Sequence, residues 1–160
     1  TQPPPVTANL KRDWQRAIVY GWEEKTLRRH DTPLSPEQME KVVRHVSHDF
    51  NLSDPPTISA RKKRMNILAD YDDEKNHIRV HNSQWRLSYV LHELAHAVDS
   101  KVNGNVWSDH GPSFVRTLLS IVEKYKYWQD TEAMEREAAK DGILIAPPDA
   151  LSKLPKPKIH

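Results

Sequence analysis

Residues 92–96 read His92-Glu93-Leu94-Ala95-His96. On a helix, side chains at i and i+4 stand nearly one above the other. His92 and His96 can therefore offer two imidazoles to one metal ion from a single rigid element. Glu93, next to the first histidine, can face water at that metal rather than the metal itself. Nitrogen ligands, an open coordination position and a carboxylate base are what zinc-dependent hydrolysis of a peptide bond requires.

Such a site needs a third ligand, and the chain offers two kinds. His110 stands just ahead of Pro112, a residue suited to the first turn of a helix. Its side chain can turn back from a helix mouth toward the metal. An acid on the following helix, such as Glu123, would complete a different class of peptidase site. His110 is the more economical choice. Asp99 falls on the ligand face, three positions past His96. It is placed either to hydrogen-bond a ligand imidazole or to sit in solvent as an ordinary acid. His45 and His48, also three apart, find no third partner nearby and read as solvent- or partner-facing.

The elements around these residues follow from periodicity. At about 100° per residue, Leu87, Val90, Leu91, Leu94, Ala95, Val98 and Val102 form one apolar arc. His92 and His96 fall opposite it, near Tyr89 and Asp99. This predicts a helix capped by Asn82 or Ser83 that buries one face and turns its ligands to a cleft. Upstream, Leu10, Trp14, Ile18 and Trp22 recur at near-helical spacing and predict a helix over residues 7–29 with its tryptophans in the core. Ser35-Pro36-Glu37-Gln38 combines a cap, a first-turn proline and an N3 glutamine, a strong helix start. Residues 57–60 read as a short strand. Residues 66–71 and 77–81 read as a hairpin joined by Asp72-Asp73-Glu74-Lys75-Asn76. Ile78 and Val80 alternate with His77, Arg79 and His81, the pattern of a half-exposed strand. An edge strand beside a cleft can receive an extended substrate by strand addition. Downstream, Phe114, Leu118, Leu119 and Val122 give a helix after Pro112, residues 131–141 another, and Gly142 its stop. Ile143-Leu144-Ile145 reads as a short strand or clip. Tyr125, Tyr127 and Trp128 fit core, cleft wall or a tyrosine donor to a transition state.

Taken whole, the 160 residues suit one domain with a real core. The expected layout is a lead-in over residues 1–6, a single domain over 7–146 and a proline- and lysine-rich tail over 147–160. With no cysteine, a zinc site must use His, Asp or Glu, and a disulfide framework is excluded. The net charge of +2 does not by itself argue for nucleic acid. The one concentrated basic run, Arg61-Lys62-Lys63-Arg64, reads as a solvated segment or as a contact to a phosphate backbone. No apolar run is long enough to span a membrane, and a cytoplasmic protein is the default expectation, with a place in a virion also open.

His92-Glu93-Leu94-Ala95-His96-Ala97, followed fourteen positions after His96 by His110-Gly111-Pro112-Ser113-Phe114, resembles the SprT-like, or Spartan-type, zinc metalloproteases. The resemblance covers roughly residues 35–127. It implies a compact α+β zincin-like domain in which His92, His96 and His110 hold one Zn2+ and Glu93 is the catalytic base. Members with known roles cleave proteins crosslinked to DNA, which implies protein substrates and a DNA partner. Many relatives carry a cysteine-rich zinc ribbon, which a chain without cysteine does not have. A compact bacterial or phage version fits this departure. The alternative is a zinc-containing module that binds nucleic acid or protein, its metal site structural or vestigial.

Overall fold

A computed structural model describes residues 13–29, 31–61, 69–81, 85–102, 109–126 and 129–148. Among these residues five helices and a three-stranded sheet follow in the order α1 (Arg16–Lys25), α2 (Pro36–Asp49), β1 (Thr57–Arg61), β2 (Ala69–Asp72), β3 (His77–His81), α3 (Leu87–Val102), α4 (Pro112–Tyr125) and α5 (Thr131–Lys140). The class is α+β, as expected. The expected lead-in over residues 1–6 and most of the expected tail, from residue 149 on, lie outside the described residues. No helix among the described residues is long and apolar enough to cross a membrane.

The hairpin forms in the predicted place. β2 and β3 pair antiparallel with Tyr71 opposite Ile78, and β1 lies parallel to β3 on its other side. The strand order is therefore β1-β3-β2. Among the described residues β3 is the central strand, and β1 and β2 are the outer ones. Alternation along β3 reports the two faces of the sheet rather than an edge: Ile78 and Val80 are buried, and the residues between them are half-buried.

α3 is the spine of the fold. It packs against α2, α4, β2 and β3, and most of its side chains are buried, on the ligand side as well as the apolar side. Its start is clipped by the loop before α2. Asp31 accepts hydrogen bonds from the Ser88 backbone N–H and hydroxyl, and the Leu87 N–H donates to the Thr32 carbonyl. These contacts satisfy amides that the first turn of a helix leaves without partners. α2 starts with the predicted capping box, Ser35 and Gln38 each closing on the other's backbone.

The first helix is shorter than predicted. Within the described residues it runs Arg16–Lys25, with Asp13 and Gln15 just ahead of it binding distant partners through their side chains. Trp22 is buried and its indole N–H donates to the Met134 carbonyl at 2.8 Å, tying α1 to α5. Trp14, expected in the core with Trp22, is only half-buried, and Ile18 of the same periodic stripe is exposed. At the far end, Gly142 takes φ +78°, the left-handed conformation that ends α5 and lets Ile143 N–H reach the Ala138 carbonyl. Residues 143–146 then dock as a clip: Arg116 Nε donates to the Ala146 carbonyl, and Ala146 N–H to the Pro112 carbonyl.

Candidate metal centre

α3 presents His92 and His96 one turn apart, and His110 meets them from the turn that opens α4. One nitrogen from each of the three lies within 4.8 Å of the others. Nε2 of His92 and Nε2 of His110 are 3.4 Å apart. Two ligand nitrogens on a tetrahedral zinc with bonds of about 2.0–2.1 Å stand about 3.3 Å apart, so the spacing fits a shared ion. Glu123, the competing third ligand, is exposed on α4.

Carboxylates fix the outer nitrogens of two of these rings. Glu23 Oε1 on α1 lies 2.6 Å from Nδ1 of His92. Asp13 binds His110 twice, through Nδ1 and through the backbone N–H. A proton on each Nδ1 serves both carboxylates and leaves two Nε2 lone pairs facing each other, an arrangement that a cation relieves. Glu23 is fully buried and its second oxygen has no hydrogen-bond partner. An unpaired buried carboxylate oxygen is costly, and positive charge at the centre of the triad offsets it. The residues thus fit a divalent ion with imidazole ligands.

Phe114 forms the floor. Its ring centroid lies 5.1, 4.4 and 5.0 Å from those of His92, His96 and His110, stacked on His96. This gives a packing reason for the phenylalanine four positions after His110. Gln15 holds the mouth of α4: its Nε2 donates to the carbonyls of His110 and Leu144, and its Oε1 accepts from Leu144 N–H.

The triad opens on a cavity of about 310 Å3. Asp13, Arg16 and Tyr20 line it on one side, Ala69, Asp70 and Tyr71 of β2 on another, with Glu93, Asp99, Ser100 and Asp109 completing the wall. Glu93 is almost completely buried. Burial pushes its carboxyl up to about 7; the charge of His92 opposes this and that of Glu23 adds to it. Burial together with His92 and His110 holds His96 well below the ordinary histidine range, which keeps it a neutral ligand. For His92, burial works against a charge, but Glu23 and Glu93 outweigh it and the pKa rises. Burial also raises the Tyr20 phenol, with Arg16 opposing.

Neither a scan against protein-family models nor comparisons with curated proteins and with solved structures found a match. What the site does must be read from its own geometry.

The structure brings His92, Glu93, His96, His110 and Asp99 to one cavity. Asp99 is buried in its wall, while the carboxylates on Nδ1 of His92 and His110 come from Glu23 and Asp13. Of the basic run, Arg61 ends β1, and Lys62, Lys63 and Arg64 lie outside the described residues, as do Tyr127 and Trp128. Tyr125 is no part of the cavity lining. It packs at the edge of the core and its hydroxyl donates to Asp49 at the end of α2. His45 and His48 are exposed on α2. The sequence reading missed Asp13, Gln15, Tyr20 and Glu23. Their one signal is the spacing of Asp13, Arg16, Tyr20 and Glu23, which repeats at three, four and three positions and so lays them along one helical face.

Proposed function

We propose that this chain is a zinc-dependent endopeptidase. The observation that carries this reading is the convergence of three imidazoles with the buried carboxylate of Glu93 in the wall of one open cavity. Three imidazoles in a chain without cysteine suit zinc. When bound, zinc supplies a Lewis acid that polarises the scissile carbonyl and makes water more acidic. Glu93 takes a proton from the attacking water and delivers it to the leaving amine as the water oxygen joins the carbonyl carbon and the C–N bond breaks. Burial raises the pKa of the Glu93 carboxyl, which makes it a better proton acceptor. β2, an outer strand of the sheet among the described residues, lines the cavity through Ala69, Asp70 and Tyr71 and offers main-chain groups to an extended substrate.

The SprT-like resemblance supports the same assignment and extends it to a zincin-like fold and to DNA-associated protein substrates. Elemental analysis of wild type and His110→Ala, followed by cleavage of an unfolded protein with and without single-stranded DNA, tests it. About one zinc per wild-type chain, loss of zinc in the variant, and cleavage stopped by a chelator are the expected results. A wild-type chain that takes up no zinc when supplied with it sinks the proposal.

A further inference from the structure

Asp13, just ahead of α1, and Glu23 on it are accounted for by His110 and His92. Tyr20 lies between them on the same face. Its ring centroid is 5.0 Å from that of His110 and 5.8 Å from that of His92, and it lines the cavity that Glu93 also lines. Among the described residues two tyrosines, Tyr20 and Tyr71, line this cavity, and they differ. Tyr71 on β2 donates its hydroxyl to Asn76 Oδ1 at 2.8 Å, so its proton is committed. The Tyr20 hydroxyl donates to no acceptor among the described residues. Arg16, one turn earlier, places its guanidinium carbon 5.5 Å from the centroid of the Tyr20 ring, adding positive charge on the same side of the cavity.

Peptide hydrolysis needs a donor aimed at the carbonyl oxygen as that oxygen gains charge. Glu93 is an acceptor and a proton carrier and does not fill that role. The imidazole hydrogens on the outer nitrogens of His92 and His110 are already given to carboxylates. We infer that Tyr20 is a catalytic residue of the proposed peptidase, its hydroxyl donating to the scissile carbonyl oxygen in the transition state. This rests on the peptidase reading above. It assigns to α1 and the turn before it both the ordering of two ligands, through Asp13 and Glu23, and a direct part in the chemistry. It also takes the place of Tyr125 as the source of a tyrosine donor, since Tyr125 is spent on Asp49.

The test is Tyr20→Phe in the full chain, loaded with zinc. The variant removes one oxygen and keeps the ring against His110. Zinc content should stay at about one per chain, KM for an unfolded protein substrate should hold, and kcat should fall on the order of 100- to 1,000-fold. A second readout does not depend on turnover. A phosphonamidate peptide mimics the tetrahedral transition state, so its Kd measured by calorimetry should rise at least about 10-fold in the variant. Unchanged kcat and unchanged phosphonamidate binding, in a variant whose parent is active, overturn the role of Tyr20 and leave the peptidase reading standing. Loss of zinc from the variant makes Tyr20 structural and also overturns it. A zinc-loaded parent that cleaves nothing overturns both readings together.

Discussion

Glu23 Oε1 on α1 stands 2.6 Å from Nδ1 of His92 on α3, across 69 positions of sequence. The contact fixes which ring nitrogen of His92 points at the centre, and Asp13 does the same for His110. Such partners are typically worth 10- to 100-fold in metal affinity, so Glu23→Ala is expected to weaken zinc binding by roughly that factor. Competition against a chromophoric chelator reads it directly. Glu23→Gln keeps an acceptor oxygen and should recover part of the loss. Equal affinity in wild type and Glu23→Ala would mean that the contact does not orient the ligand.

Glu93 is separable from metal binding, because its carboxylate lines the cavity and is not one of the three clustered ligands. Glu93→Gln keeps the size and removes the base. It should retain zinc while losing at least about 100-fold in cleavage rate. A fully active Glu93→Gln protein would remove proton transfer by Glu93 from the mechanism.

These two cases also divide what was legible in the sequence from what was not. His92, Glu93, His96 and the helix that carries them follow from local spacing, and so does the place of His110 ahead of Pro112. The residues on α1 and in the turn before it do not. Asp13 and His110 are separated by 97 positions, and no local pattern states which helix will cover the ligand face of another. Apolar periodicity pointed to Ile18, which is 39% exposed, while Glu23 beside Trp22 is the buried one. Burial of that acid depends on a tertiary partner, which overrides the usual exposure of carboxylates. The sheet shows the same division. The antiparallel hairpin is encoded by adjacent segments, whereas the parallel β1–β3 pairing that makes β3 central is non-local.

Tyr125 offers a pH test away from the metal. Its hydroxyl donates to Asp49 and holds that carboxyl below its ordinary 3.8. Tyr125→Phe should bring the Asp49 pKa up toward 3.8, measured by carboxyl carbon NMR. The sign for stability follows. A pKa depressed in the folded chain contributes stability above the unfolded value, and that stability is lost as pH falls through the folded value. The variant should therefore show a slightly shallower fall in acid stability. Because Asp49 is well exposed, the effect will be small, and an Asp49 pKa unchanged in the variant would count against the hydrogen bond.

Phe114 joins stability to the site. It is completely buried and touches all three histidine rings from below. Phe114→Ala should cost about 3–5 kcal/mol of folding free energy, since the ring's contacts are lost and a cavity remains. Urea unfolding of the metal-free chain gives that figure without any contribution from bound zinc. The same variant should bind zinc more weakly, because His96 loses the ring it stacks on and gains rotamers that do not point at the centre. Adding zinc should then stabilise wild type by more than it stabilises Phe114→Ala, as the stabilisation grows with the ratio of free metal to its Kd. An equal zinc-induced rise in midpoint for both proteins would show that the floor supports the core alone and leaves the ligands indifferent to it.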